Sequence, residues 1–130
     1  HIPHRIPITE EIKTLLLTAK KYSTSKKYVF SPITHSRYEH IDPEAPNAFI
    51  RKMGIRNKEG EVVVAHGWRR TFLTEGIDQF GCMKEIIKKQ MGHLPDNRVD
   101  RAYDSSENLS ERKEFLGKWG KALVEKGLRL

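Results

Sequence analysis

His66-Gly67-Trp68-Arg69, then Gly92-His93, then Arg101-Ala102-Tyr103 follow one another in this chain. They supply two imidazoles, two guanidiniums and a phenol. Such a set can bind a phosphodiester, neutralise its charge, move protons and supply a nucleophile. Arginine presents a planar fork that matches phosphate oxygens and stays charged at every relevant pH. Histidine can donate to phosphate or exchange protons near neutrality. A tyrosine of ordinary pKa, about 10, is a poor nucleophile without such neighbours.

Each residue also has a plainer reading. Three positions apart, His66 and Arg69 share a helix face, where they would make an anion clamp, helped by free N–H groups at the helix N-terminus. Equally, His66 can cap the helix while Arg69 joins a surface ion pair. His93 follows Gly92, a residue suited to the left-handed turn that ends a helix, and a histidine there is favoured by the helix dipole alone. Tyr103 is one of four tyrosines and can be half-buried packing. Against that, Arg98, Arg101 and His93 lie within ten positions of it.

These residues need a scaffold, and the composition supports one. The 130 residues suit a single domain with a real core. A charged fraction of 32% beside a hydrophobic fraction of 37% fits a globular protein with a wet surface. The formal net charge of +7 makes a polyanion a reasonable partner. Cys82 is the single cysteine, so no intrachain disulfide can form, which fits a reducing cytosol. No apolar run reaches the length of a membrane span, and no signal peptide is visible. The chain opens on His1 rather than Met, and reads as a piece of a longer protein.

Hydrophobic spacing predicts a mainly helical, multi-helix fold with a small β element near the N-terminus. In residues 1–9, Ile6 and Ile8 alternate with polar residues or proline, as in an edge segment. Thr9 is placed to cap a helix over 10–22, with Glu10 and Glu11 in its first turn. Residues 23–43 read as loop, with a short extended stretch at Tyr28-Val29-Phe30. Asp42-Pro43-Glu44 signals a helix of about ten residues that Gly54 ends. Val62-Val63-Val64 fits a short strand or a buried loop.

The spacing predicts further helices over Ala65 to about Phe80, over roughly 83–91 and, briefly, over Val99 to Tyr103. The second of these has Met83, Ile86, Ile87 and Met91 as its apolar face, and residues 92–97 form a turn after it. The last and longest helix covers 108–126, with Leu109, Phe115, Leu116, Trp119, Ala122 and Leu123 as its stripe. Asn108 and Glu111 stand as in a capping box. The stripe can pack on its own chain or dock on a neighbouring copy.

Taken together, the motifs resemble the tyrosine recombinases, the phage integrase family, and within it the integrases of prophages and genomic islands. That family carries an H-x-x-R helix, a glycine-histidine turn some two dozen residues later, and a nucleophilic tyrosine about ten beyond it. Here Arg69 and His93 are 24 positions apart, and His93 and Tyr103 are 10 apart. Gln90-Met91-Gly92-His93 resembles the family's L-G-H turn. Arg101-Ala102-Tyr103, followed by Leu109-Ser110-Glu111-Arg112 and Trp119, resembles the island-integrase ending. His4-Arg5-Ile6-Pro7-Ile8 resembles the segment after the family's β-hairpin, so the likeness covers nearly the whole chain.

The resemblance implies that Tyr103 attacks a DNA phosphate, giving a 3′-phosphotyrosyl link and a free 5′-hydroxyl. It implies that Arg69 stabilises the pentacovalent transition state, that His66 contacts a non-bridging oxygen or assists a proton, and that His93 hydrogen-bonds the phosphate. No metal or nucleotide cofactor is implied. The partner would be double-stranded DNA at attachment sites in a bacterial cytoplasm, with self-association on DNA through the last helix. Arg70, Lys84, Lys88, Arg98 and Arg101 are candidate phosphate contacts.

The chain departs from the family in one respect. The family's further arginine and lysine fall upstream of the segment that residues 4–8 resemble. Residues 1–130 then read as part of a catalytic domain, expected to be nearly inert alone, since each lost transition-state donor commonly costs about 10²–10³ in rate. The competing reading from another class is a non-catalytic helical DNA-binding module, held by counterion release and indifferent to Tyr103. A metal site is weakly supported, because the six histidines are scattered without a recognisable ligand spacing.

Overall fold

The computed structural model describes residues 4–32, 37–93 and 107–130. Among them the chain is mainly helical, with α1 (Glu10–Tyr22), α2 (Ala45–Lys52), α3 (Gly67–Asp78), α4 (Lys84–Gln90) and α5 (Leu109–Glu125). The expected helix over Val99 to Tyr103 and the end of the turn after Gly92 lie outside the described residues. No described helix is long and apolar enough to cross a membrane. The chain divides into two compact units, residues 1–12 with 69–129, and residues 13–68 with 130.

The first unit is built on α4 and α5. Ile86 and Ile87 of α4 and Phe115 and Leu116 of α5 are its buried apolar residues, and Ile87 is wholly enclosed. Phe72 of α3 and Phe80 just after it meet Phe115 and Trp119 at ring-centroid separations of 4.9–6.2 Å, in tilted and edge-on arrangements. Such geometry adds to the burial term itself. Gly76 permits this packing. A Cβ built there would stand 2.6 Å from Ile87 Cδ1 and 2.8 Å from Phe115 Cζ. The stripe of α5 is therefore covered within its own chain at Phe115 and Leu116. Met83 departs from the expected apolar face of α4, since it precedes the helix and is 64% exposed.

Helix α1 begins as its sequence predicts. The Thr9 hydroxyl accepts the Ile12 N–H at 3.4 Å. Hydrogen bonding to the backbone and to the Thr9 hydroxyl, with Lys121 nearby, holds the Glu11 carboxyl below its ordinary range against a small opposing effect of burial. No residue of α1 is fully buried, so its apolar stripe is only partly covered.

The expected β element near the N-terminus is not seen among the described residues. Residues 4–9 are irregular, and the β pairing among the described residues is one antiparallel bridge, Arg56 with Val62. Pro7 lacks a ladder donor, and this segment is tied down by other groups. His4 Nε2 donates to the Gln90 carbonyl at 3.2 Å, and the Arg5 carbonyl accepts from Arg112.

In the second unit, Ser31 is buried and links the loop after α1. Its hydroxyl accepts the Thr24 N–H at 2.8 Å, while the Ser23 hydroxyl donates to the Tyr28 carbonyl at 2.7 Å. This side-chain network occupies the place where an extended stretch over 28–30 was expected. Asp42 accepts the Glu44 N–H at 2.8 Å, closing a turn ahead of α2 rather than capping the helix, which starts at Ala45. Gly54, at φ +66°, ends α2 as expected. Val62 and Val64 are exposed, so the three valines form neither a strand nor a buried loop.

Candidate functional site

The H-x-x-R motif straddles a helix boundary. Helix α3 starts at Gly67, which leaves His66 in the preceding turn and makes Arg69 the third helical residue. The expected shared helical face is therefore not formed. The turn is fixed from α2, where Asn47 Oδ1 accepts the Ala65 N–H at 2.7 Å. Within it the Gly67 N–H reaches the Val64 carbonyl at 2.9 Å and the Trp68 N–H the Ala65 carbonyl at 3.2 Å. Those two donors are thus already occupied, and the anion clamp expected from free N–H groups is weaker by that much. His66 is exposed, and Trp68, expected on the buried side, is 54% exposed.

Seven residues of α4 end in a left-handed glycine turn. The Gly92 N–H reaches the Lys89 carbonyl and the His93 N–H the Lys88 carbonyl, both at 3.0 Å, with Gly92 at φ +75°. This is the paired 5→2 and 6→1 bonding of a Schellman cap. It satisfies two carbonyls that would otherwise lack partners and leaves His93 exposed at the helix end.

Arg69 reaches this turn. Its Nη2 donates to the Met91 carbonyl at 2.5 Å. The first turn of α3 and the end of α4 are thereby joined beside His93, across 22 positions of sequence. An arginine has five N–H donors in a fixed fork, so one bond to a carbonyl leaves others to face a ligand.

Two residues that the sequence offered only as parts of family-like segments, His4 and Arg112, bond to Gln90 next to the turn. His4 covers Gly92 while bonding the Gln90 carbonyl. Arg112 is 3% exposed, although its α5 position reads as one charge among many. Its Nε donates to Gln90 Oε1 at 2.8 Å, its Nη1 to the Glu107 carbonyl at 3.1 Å and its Nη2 to the Arg5 carbonyl at 2.5 Å. Burial lowers the Arg112 pKa, and the Glu107 charge opposes that shift. The signal that could have flagged Arg112 is its place among the apolar residues of the stripe, three before Phe115.

Asn108 and Glu111 do not form the expected capping box. Asn108 adopts a left-handed conformation at φ 47° and makes no side-chain cap. Its Oδ1 accepts Lys89 Nζ at 2.6 Å instead. Of the candidate phosphate contacts, Arg70 and Lys84 are exposed and Lys88 is half-buried. Tyr103, Arg98 and Arg101 lie outside the described residues.

Comparison with known proteins points to integrases. The chain is similar to prophage integrase IntA of Escherichia coli K12, 24% identical over 116 residues, which are 89% of this chain and 27% of that protein. It is similar to putative protein IntB of the same strain, 24% identical over 117 residues, 89% of this chain and 29% of that protein. The chain thus spans less than a third of the length of these relatives. No family model and no solved structure matches it. An integrase-like relationship follows from the two likenesses.

Proposed function

We propose that this chain is the C-terminal part of a tyrosine-recombinase catalytic domain. Within the complete protein it cuts and rejoins double-stranded DNA at attachment sites. The observation that carries the reading is the Arg69 bond to the Met91 carbonyl. It puts a cation of the H-x-x-R motif beside the glycine-histidine turn, as joint binding of one phosphate requires. The integrase-like relationship supports the same reading.

In this mechanism the Tyr103 oxygen attacks the scissile phosphorus. The 5′-oxygen leaves with a proton, and the phosphate stays on Tyr103 through its 3′ side. Arg69 and His93 donate to the non-bridging oxygens, where charge builds in the transition state. His66 contacts the same phosphate or passes the proton. A 5′-hydroxyl of another strand then attacks the phosphotyrosine, restoring the phosphodiester and the free tyrosine. Because the link conserves the bond's energy, no nucleotide or metal cofactor is required. Arg70, Lys84, Lys88, Arg98 and Arg101 position the backbone of the duplex. Copies associate on DNA through the part of α5 that its own chain leaves open, around Val124. The reaction belongs in the bacterial cytoplasm.

The test is covalent trapping in the complete protein. Nicked suicide DNA is incubated with wild type and with Tyr103→Phe and resolved on a denaturing gel. A shifted band in wild type alone is expected. Binding by both with adduct from neither, on a verified attachment site, would favour the non-catalytic DNA-binding module. An equal band from both would move the nucleophile to another tyrosine.

A further inference from the structure

Arg112 presents a puzzle of chemistry. Burying a guanidinium is costly, and an apolar side chain of similar volume often serves stability as well or better. Here the charge is buried with three separate stretches of chain as its partners, namely Arg5, Gln90 and Glu107. Two of these are carbonyls, which a planar fork can meet only at set angles. One of them adjoins the Gly92–His93 turn directly. Gln90 is the last residue of α4, and its own carbonyl holds His4, the ring that covers Gly92. Glu107 is where the chain approaches α5, and its carboxylate lies 3.7 Å from the Arg5 guanidinium. In sequence Tyr103 falls between Gln90 and Glu107, two of the points fastened to this guanidinium.

We propose that Arg112 is a positioning residue, a buried cation that sets the Gly92–His93 turn against the approach to α5. Catalytically this rests on the phosphotyrosyl reading above; structurally it is a statement about the turn alone. Arg112 touches no substrate and acts through Gln90 and Glu107. A merely stabilising residue would weaken the unit as a whole. A positioning residue loosens the turn first.

The experiment compares Arg112→Met, Arg112→Lys and Leu116→Ala in the complete protein. Leu116 is buried one turn further along α5 and serves as a control for general destabilisation. The first readout is hydrogen exchange at the Gly92 and His93 amides, set against the Gly127 and Leu128 amides that close the far end of α5. The second is the single-turnover cleavage rate at saturating suicide DNA, with DNA affinity measured separately.

We expect both Arg112 variants to speed exchange at Gly92 and His93 selectively, while Leu116→Ala raises it evenly across the unit. We expect cleavage to fall by about 10²-fold, the scale of a displaced catalytic group, with affinity nearly unchanged. Arg112→Lys keeps the charge without the fork, and it carries the test should the Met variant fail to fold. Even exchange across the unit in the Arg112 variants, or wild-type cleavage by them at saturation, would overturn the proposal. Should neither wild type nor Tyr103→Phe form an adduct on a verified attachment site, the phosphotyrosyl reading fails, and the exchange pattern alone then decides for or against Arg112.

Discussion

The His4 ring lies over Gly92, so that a Cβ added to the glycine would stand 3.5 Å from His4 Nδ1. Ordinary contact at that distance leaves room for a methyl group. The backbone does not, because Gly92 sits at φ +75°. Gly92→Ala is therefore expected to lose about 1–2 kcal/mol, the usual cost of a left-handed conformation for other residues. Chemical denaturation would show it as a lower midpoint at unchanged slope. An unchanged midpoint would mean that the turn can be rebuilt without its left-handed residue.

At Gly76 the obstacle is space. The added methyl would meet Ile87 Cδ1 and Phe115 Cζ well inside contact distance, and both partners belong to the core. Gly76→Ala is expected to cost about 1–3 kcal/mol by overpacking, despite alanine's better helix propensity. Shortening Ile87 to valine in the same chain should recover part of the loss, and thermal unfolding of the four variants measures the coupling.

Arg69 has two duties in this reading, one to the Met91 carbonyl and one to phosphate. Arg69→Ala removes both, and adduct formation is expected to fall by about 10²–10³. Arg69→Lys can restore one donor but no fork, and it should stay well below wild type in single-turnover trapping. Equal rates in all three proteins would detach Arg69 from the chemistry.

The Glu11 carboxyl titrates below its ordinary range, chiefly through hydrogen bonding to the backbone and then to Thr9. The unfolded chain holds its proton more tightly, so the ionised form favours folding. That contribution is fully present above the unfolded pKa and disappears as pH falls through the folded one. Glu11→Gln should thus be less stable than wild type at neutral pH, and the gap should close in acid. Unfolding midpoints across an acid pH series test the sign, and a constant gap would contradict it.

Much of the helical plan was legible in the sequence because periodicity and end signals agreed. Thr9, Gly54 and Gly92 stand at the ends they were expected to mark. Spacing alone misled at His66 and Arg69, since three positions suit a helix face even when the helix starts between them. Asn108 misled because the capping signal is local, while Lys89 competes for its side chain from another helix. Arg112 and Gly76 were illegible for a related reason. A charge is read as facing outward and a glycine as carrying no side of its own, yet each takes its role from residues far away in sequence. For the site itself, the family likeness named Arg69 and the glycine-histidine turn as parts of one motif, while the bond from Arg69 to the Met91 carbonyl had no signal in the sequence.

The bond to Asn108 engages the ammonium of the half-buried Lys89, and the enclosure of Arg112 withdraws a second cation from the surface. A formal charge of +7 therefore overstates what a phosphate backbone can meet on this chain. The salt dependence of duplex binding counts neutralised phosphates, with a slope of about −0.9 per contact. Arg70 and Lys84 can enter that count because they face solvent. Removing Lys89 should change the fold's stability and leave the slope where it was.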